Sequence, residues 1–438
     1  MSKEKTTILV YAEKMTPRLQ WILREVLGRR LGLDHLLIDD REAYRHGHTP
    51  GITYAREAVG RRHELVIWPS GLLERRGTEP LTPSLAYDGE GHPLLFPAPA
   101  GYDLPLDIFS AAFYLLSRYE EYQPFTPDGM GRFPAAASMA YREGWLDEPV
   151  VDLWSSWLAD RLVRQSDEIS YRVPPLRFVA TYDIDQAYAY RGKPWWRLLP
   201  GGLVHGDLGR RWAVWRGKKQ DPYDTFERIR TTHALLRERP VFFFHVGRWG
   251  RYDKSLPAAG ETMREVVRQV GRYGQVGLHP SVHAARDNRI LVKELEQLEA
   301  LRGDVVLMSR MHYLMMRFPD IPRALVAAGI RQDFSLTYPD EPGFRAGTCH
   351  PFQWYDLERE EETSLQLVPT TLMDGALFRK ASSPGEITAC LEHFRKKTEP
   401  YGGLLVTLWH NHTLSLEGRW APLAQAYLDW VKEHFSKG

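Results

Sequence analysis

The feature that most constrains the fold is an alternation of short apolar runs with helical patterns through the second half of the chain. Five runs have the length and hydrophobicity of buried strands, and helical periodicity fills much of the sequence between them. Apolar strands separated by helices predict a parallel sheet covered by helices, either open or closed as a barrel. The predicted strands are 178–181, 241–244, 276–278, 305–308 and 404–408, and the predicted helices are 225–237, 258–273, 288–300 and 321–328.

The first half of the chain has the pattern of a smaller α/β domain. Strand-like runs lie at 7–11, 36–38 and 64–68, and helical patterns lie at 17–30, 107–121 and 152–163. The stretch 124–136 is rich in Pro, Gly and Asp, which predicts a loop. The Val173-Pro174-Pro175 segment has the character of a linker. We therefore predict an N-terminal α/β domain of unknown role at 1–172 and a second domain at 173–438.

Charge and cysteine content exclude several classes of protein. The 57 Lys and Arg residues balance 56 Asp and Glu residues, so the chain lacks the strong positive charge of a nucleic-acid-binding domain. A basic stretch at 191–219 is more typical of a solvated face than of an anion-binding or membrane-surface patch. No run approaches the ~20 apolar residues of a membrane span, and the N-terminal run 8–11 is too short for a signal peptide. With only Cys349 and Cys390, we expect a cytoplasmic protein without a disulfide framework.

Ionisable side chains follow several of the predicted strands at the point where each strand ends. Asp183 and Asp185 come after the first strand of the second half, His279 after the third, and His410 and His412 after the last. Loops at the carboxyl ends of parallel strands converge on one face of a sheet, where ligands bind. The sequence therefore predicts a single site assembled from distant parts of the chain.

Three of these residues have the chemistry of metal ligands. His279 and His283 are spaced at i and i+4, which lets two imidazoles face one ion. Asp185 supplies a carboxylate, and a set of two histidines and one carboxylate leaves coordination positions open for water and substrate. A divalent metal held in this way acidifies water and polarises an amide or ester carbonyl.

Four blocks, in order along the chain, resemble the motifs of the polysaccharide deacetylases (NodB homology, carbohydrate esterase family 4). They lie at 178–185, 279–283, 343–347 and 408–411, so the resemblance spans roughly the last 260 residues. Further blocks, among them 113–121, 309–314 and 343–352, resemble a bacterial subfamily with an additional N-terminal domain. The resemblance implies a deacetylase-like (β/α) barrel, with seven strands as one alternative to eight.

The resemblance also implies a role for each matching residue. Asp183 would be the general base, and Asp185, His279 and His283 would bind the metal, with Zn²⁺ as the expected ion. The other implied roles are an arginine that holds the base aspartate (Arg345), an acid that protonates the leaving amine (His410) and a carboxylate that orients this acid (Asp374).

Several neighbouring residues stay open from sequence alone. His412 follows the same strand as His410 and is an alternative acid. Arg310 and His312 follow the predicted strand 305–308, where either a site role or a structural role fits. His245 follows the aromatic run 241–244, which is more typical of a core histidine.

The expected activity is metal-dependent removal of an acetyl or similar acyl group from an amide on a sugar or glycan precursor. The expected partners are a carbohydrate or acylated amide substrate, with no nucleic acid and no membrane span. One alternative is hydrolysis of a non-sugar C–N bond, as in another branch of the same superfamily. The other alternative is a glycan-binding or regulatory protein that keeps the fold without catalysis.

Overall fold

The computed structural model describes residues 6–199, 203, 206–258, 260–415, 417–418 and 420–437. In this part of the chain the strands form a four-stranded sheet, a nine-stranded sheet and a two-stranded hairpin. Among the described residues, no helix combines the length and the hydrophobicity that crossing a bilayer requires.

The four-stranded sheet lies in the first half of the chain, with strands in the order β2-β1-β3-β4 and every neighbouring pair parallel. Its strands are β1 (Ile8–Ala12), β2 (His35–Ile38), β3 (Gly51–Tyr54) and β4 (Glu64–Ile67), and the hairpin is β5 (Leu85–Tyr87) with β6 (Pro93–Leu95). The helices of this half are α1 (Pro17–Leu23), α2 (Arg41–Arg45), α3 (Ile108–Leu116), α4 (Met139–Arg142) and α5 (Val150–Gln165).

The nine-stranded sheet has the order β12-β13-β11-β10-β9-β8-β7-β15-β14, and only the β12–β13 pair is antiparallel within the described ladder. The first five strands are β7 (Arg177–Ile184), β8 (Val241–Phe244), β9 (Gln275–Leu278), β10 (Met308–Ser309) and β11 (Gln332–Asp333). The remaining four are β12 (Phe352–Asp356), β13 (Glu361–Leu367), β14 (Leu372–Met373) and β15 (Leu404–His410).

Helices follow most strands of this sheet, as the alternating pattern predicts. They are α6 (Leu208–Trp215), α7 (Phe226–His233), α8 (Glu261–Gly271), α9 (Asn288–Arg302), α10 (Asp320–Ala327), α11 (Asp374–Lys380), α12 (Pro384–Thr398) and α13 (Ala421–Phe435). All four residues of β8 are buried, because a parallel strand between two layers of side chains has no solvated face.

The nine-stranded sheet is strongly curled around its own core. The ring centroids of Phe243 on β8 and Phe334 after β11 are 5.2 Å apart. Three interstrand spacings of about 4.8 Å separate these strands, so in a flat sheet the two rings would lie about 14 Å apart. Gly277 on the intervening β9 leaves room for this contact, since a Cβ there would meet the Phe243 ring at 2.6 Å.

The curled sheet does not close into a continuous ladder. Between β13 and β14, the Val368 amide donates to the Asp333 carbonyl at 2.9 Å, and the Thr371 amide donates to the Val406 carbonyl at 3.0 Å. The short connection 368–371 therefore bridges the gap between β11 and β15. In a closed barrel, paired strands would fill this gap. The α/β class agrees with the sequence expectation, whereas a closed seven-stranded barrel is not confirmed.

Some predicted elements differ in their extent. The predicted strand 305–308 forms a ladder only at Met308–Ser309, because the preceding residues form a loop in which Val305 and Leu307 are exposed. The predicted helix 17–30 is α-helical over Pro17–Leu23 and then widens into π-type turns over Arg24–Arg30. The β12–β13 hairpin lies in a stretch for which the sequence pattern predicted no strand.

Buried ion pairs join the two halves of the chain. Glu121 accepts two hydrogen bonds from Arg345, at 2.9 and 2.6 Å, and a third from Arg118 at 2.9 Å. The guanidinium of Arg18, a fully buried residue of α1, pairs with Glu360 of the β12–β13 hairpin at 2.9 and 2.5 Å. Because a buried charge without its partner is costly, these contacts hold the first half against the second.

The charge of Glu121 should be worth more to stability than that of a partly exposed carboxylate in the same interface. Glu121→Gln should lower the free energy of unfolding by about 3–5 kcal/mol, because it leaves the buried guanidinium of Arg345 without a counter-charge, whereas Arg118 keeps Glu120 at 3.0 Å. Glu362→Gln is the matched control, since Glu362 pairs with Arg24 and Arg29, whose side chains are 43% and 38% exposed. That change should cost less than about 1 kcal/mol. Urea unfolding followed by tryptophan fluorescence compares the two, and equal effects would contradict this account.

Candidate metal centre

A buried arginine organises the carboxyl ends of the curled sheet. Arg310 follows β10 and is fully buried, with its guanidinium 4.6 Å from the Phe243 ring centroid. It donates to Asp183 Oδ1 at 2.9 Å and to Thr181 Oγ1 at 2.7 Å, both on β7. It also donates to the hydroxyl of Thr370 and to the Phe334 carbonyl, each at 3.0 Å. The guanidinium thereby fixes the orientation of the Asp183 carboxylate from inside the sheet.

Two histidines next to Asp183 present the same ring nitrogen to one point. His279 Nδ1 lies 2.5 Å from the Arg310 carbonyl, and His312 Nδ1 lies 2.9 Å from Asp253 Oδ1. A carbonyl or a carboxylate at Nδ1 fixes the proton there, which leaves the Nε2 lone pair available to a metal. The ring centroids of His279 and His312 are 4.9 Å apart.

Asp185 completes a group of three potential ligands. Its Oδ1 lies 3.2 Å from His279 Nε2 and 3.6 Å from His312 Nε2, and one ligand atom from each residue lies within 4.8 Å of the others. Asp185 Oδ1 and His279 Nε2 are buried, and neither has a hydrogen-bond partner among the described residues. Two buried ligand atoms that converge in this way fit a divalent cation, which satisfies both.

The electrostatics of this group favour positive charge. Burial disfavours the charged form of His312, but Asp185 and Asp253 outweigh burial and raise the pKa of His312 to about 9. Burial likewise opposes ionisation of Asp185, yet His312 and His279 hold the pKa of Asp185 well below its usual value. The carboxylates thus attract a cation into the centre, and a divalent metal would take the place of the His312 proton.

A carboxylate–histidine pair lies beside the same group. Asp374, at the start of α11, contacts His410 Nδ1 through Oδ1 at 2.9 Å and accepts from the His410 amide at 2.8 Å. His410 Nε2 points towards Asp185 Oδ2 at 3.8 Å. Burial disfavours the imidazolium, but Asp374 and Asp185 raise the pKa of His410 to about 10. The raised pKa therefore favours the imidazolium form of His410 at neutral pH.

His412 lacks this environment. Burial and the neighbouring His410 lower the pKa of His412, and its ring packs 5.4 Å from that of Tyr223. The described contacts of the two histidines therefore favour His410 as the acid.

The structure corrects the expected position of His283. Val282 and Ala284 on either side of it are buried, and the turn between them directs His283 to the surface. The Ser281 hydroxyl accepts from the Ala284 amide at 3.0 Å, which stabilises this turn. His283 is exposed and lies outside the group formed by Asp185, His279 and His312.

The structure also corrects the expected position of Arg345. This side chain is buried against Glu121 of the first half and donates to the Thr337 carbonyl at 2.9 Å. The guanidinium that contacts Asp183 belongs to Arg310 instead. Of the remaining predicted residues, Asp183, Asp185, His279, His410 and Asp374 do lie together at the carboxyl ends of β7, β9, β14 and β15.

Three residues of the centre were not among the predicted site residues. Two of them, His312 and Arg310, could have been found from their position directly after a predicted strand. Asp253 lies in a loop without such a signal, and it touches His312 at 2.9 Å and His245 at 3.4 Å. His245 is fully buried, as a core histidine should be, and its Nδ1 lies 3.1 Å from the His279 carbonyl.

A second cluster with metal-ligand chemistry is less suited to a cation. Asp152, Cys349 and His350 lie together, but Arg30 already donates to Asp152 at 2.6 Å. Burial and the charge of Asp152 raise the pKa of the Cys349 thiol well above its usual value. A protonated thiol beside a paired carboxylate is a poor ligand and a poor nucleophile.

Comparisons with known proteins find one family model that matches part of the chain. The model describes a family of unknown function, DUF7033, and matches residues 8–167. A search of curated proteins finds no match.

Solved structures overlap the chain only loosely. One is a protein of Mycobacterium smegmatis assigned as a polysaccharide deacetylase, with 14% identity over 60% of this chain and 86% of that one, at a TM-score of 0.40. Another is Puue allantoinase, with 11% identity over 59% and 83%, at a TM-score of 0.37. A third is a CE4 family pseudoenzyme of Bacillus anthracis, with 11% identity over 62% and 68%, at a TM-score of 0.31. Because these similarities are distant, the chemistry of the centre is argued only from the residues of this chain.

Metal titration can distinguish His312 from His283 as the second histidine ligand of the metal. His312→Ala should weaken Zn²⁺ binding by at least about a hundredfold, because loss of a ligand costs no less than loss of a residue that supports one. His283→Ala is the matched control and should bind Zn²⁺ like the unmodified protein. Isothermal titration calorimetry of chelator-treated protein measures both. Loss of binding in His283→Ala with retention in His312→Ala would overturn this ligand set.

Proposed function

We propose that the protein is a metal-dependent hydrolase that removes an acetyl or similar acyl group from an amide on a sugar or glycan precursor. The observation that carries the proposal is the convergence of two unpartnered ligand atoms, Asp185 Oδ1 and His279 Nε2, beside both an acid and a base. Asp185, His279 and His312 would hold the metal, and Zn²⁺ suits two imidazoles and one carboxylate. When bound, the metal would acidify a water molecule and polarise the amide carbonyl.

Asp183 is suited to accept a proton from the attacking water. Its Oδ1 is held by Arg310 at 2.9 Å, while Oδ2 lies 3.7 Å from His279 Nε2 at the edge of the centre. Oδ2 therefore faces the proposed metal site, although Asp183 is not one of the three proposed ligands. This positioning is the requirement for a general base.

His410 is suited to donate a proton to the leaving nitrogen. Asp374 fixes the ring through Nδ1, so Nε2–H is the proton available to the substrate. The amide C–N bond breaks as water adds its oxygen to the carbonyl carbon, the proton from His410 passes to nitrogen, and Asp183 holds the proton from water. The products are a carboxylic acid and a free amine.

An activity assay on two classes of amide tests the proposal. Purified Zn²⁺-loaded protein should release acetate from N-acetylated amino sugars, and treatment with a chelator should abolish the release. Hydrolysis of cyclic amides or ureides instead would move the activity to the non-sugar C–N class. Absence of both activities, together with absence of a stoichiometric divalent ion, would support the non-catalytic alternative and contradict the proposal.

The separate roles of Asp183 and Asp185 predict two different defects. Asp183→Asn should lower kcat by about 10²–10⁴, the usual contribution of a general base, while Zn²⁺ stays bound. The amide oxygen of the new side chain can still accept from Arg310, so the interior of the sheet keeps its hydrogen bond. Asp185→Asn should instead lose the metal. Turnover assays with metal analysis compare the variants, and full activity in Asp183→Asn would exclude Asp183 as the base.

A further inference from the structure

Exposed aromatic side chains and cations border the metal centre. We call this surface the aromatic–cationic rim. It comprises the described residues of two segments at the carboxyl edge of the sheet, 191–199, 203 and 206–219 after β7 and 248–254 after β8. Its exposed apolar residues are Trp195, Trp196, Leu199, Leu203, Trp212, Trp249 and Tyr252, with Trp195 and Trp196 each 54% and Leu203 71% exposed. Large apolar groups concentrated on one surface indicate an interaction with another molecule or with a membrane.

The two segments of the rim are in contact. The Arg197 guanidinium lies 3.9 Å from the ring centroid of Trp249. Tyr252 contacts Tyr313 edge to face at 6.0 Å, and Tyr313 in turn packs 4.4 Å from the ring of the ligand His312. The rim therefore extends to the edge of the metal centre.

The charge of the rim is positive, although the whole chain is nearly neutral. The stretch from Arg191 to Lys219 carries eight Lys and Arg residues and one acidic residue, Asp207. Two of these arginines, Arg191 and Arg210, also pair with Glu265 and Glu417 of other segments. The 248–254 loop adds Arg248, Arg251 and Lys254, which are exposed, whereas its one acidic residue, Asp253, is buried.

These cations are crowded enough to affect a buried neighbour. Burial lowers the pKa of Lys193, and although Asp221 opposes the shift, Arg197 and Lys254 help to bring this pKa down to about 8. The rim thus combines a positive field with exposed tryptophan and leucine.

We propose that the aromatic–cationic rim docks the protein on an anionic lipid surface, with the opening of the metal centre next to the headgroups. Tryptophan is favoured at the boundary between headgroups and acyl chains, and lysine and arginine are attracted to anionic lipids. Exposed leucine distinguishes this surface from a sugar-binding platform, where flat rings and hydrogen-bonding groups make the contacts.

The docking proposal narrows the substrate class, a step that depends on the proposed hydrolase activity. A centre held against headgroups receives substrates carried by lipid. The substrate class that fits is therefore an acylated amino sugar attached to a lipid carrier.

Vesicle sedimentation tests docking with the protein as it exists. The protein should sediment with vesicles of equal parts phosphatidylglycerol and phosphatidylcholine, and hardly with pure phosphatidylcholine. Raised salt should weaken the binding, because mobile ions screen the attraction between exposed charges. Equal binding to both vesicle types, or to neither, would overturn the proposal.

Paired variants locate the binding surface. Trp195→Ala/Trp196→Ala should reduce binding at least about tenfold, and so should Lys218→Ala/Lys219→Ala. The matched controls are Tyr87→Ala/Tyr141→Ala, which removes rings 47% and 42% exposed on the first half of the chain, and Arg161→Ala/Arg164→Ala. Both controls should bind vesicles normally. Controls that bind as weakly as the rim variants would overturn the assignment of the surface.

Two further measurements distinguish failure of docking from failure of catalysis. The metal-free variant Asp185→Asn should bind vesicles like the unmodified protein, so a failed hydrolase assay leaves the docking result intact. Trp195→Ala/Trp196→Ala should hydrolyse a soluble N-acetylated sugar normally but an N-acetylated glycolipid in anionic vesicles at least about tenfold more slowly. Binding of soluble N-acetylglucosamine oligomers through Trp195 and Trp196, without vesicle binding, would replace the lipid surface with a glycan.

Discussion

The buried guanidinium of Arg310 is the interaction on which the centre depends. One side chain joins β7, the residue after β11 and the connection before β14, and these segments would lie far apart in a flat sheet. A buried charge needs a counter-charge and a full set of hydrogen bonds. Asp183 supplies the charge and neighbouring oxygens supply the remaining contacts. The pairing that stabilises the buried charge in the curled interior therefore also fixes one of the two carboxylates of the candidate centre.

The histidines of the centre are likewise oriented by neighbouring groups that make more than one contact. His279 is oriented by the carbonyl of Arg310, so the residue that anchors Asp183 also orients a potential metal ligand. His312 is oriented by Asp253, which lies in the loop that carries part of the aromatic–cationic rim. One carboxylate therefore connects that loop to the candidate ligand set.

The sequence predicts the framework of the second half well, because buried parallel strands are continuous apolar runs and their carboxyl ends carry the ionisable residues. Asp183, Asp185, His279 and His410 were predicted on that basis and lie together. Spacing was misleading for His283, because i,i+4 spacing implies a shared face only on a helix, and this segment forms a turn with buried neighbours.

Contacts between residues far apart in the chain could not be predicted from the sequence. Nothing local indicates that Arg345 pairs with Glu121, more than two hundred residues away, or that Asp253 reaches His312. The β12–β13 hairpin was missed for a related reason. β13 begins with charged residues, the pairing of the two strands is irregular, and Arg18 from the other half of the chain helps to hold the hairpin in place. Contacts of this kind depend on the assembled fold.

The most direct test of the central claim is zinc-edge X-ray absorption of the protein loaded with one equivalent of Zn²⁺. The account predicts a first shell of nitrogen and oxygen only, at about 2.0–2.2 Å, with the multiple scattering of two imidazoles. A sulfur scatterer at about 2.3 Å would place the ion at Asp152, Cys349 and His350 and would contradict the account. A shell of oxygens without imidazole would contradict it equally.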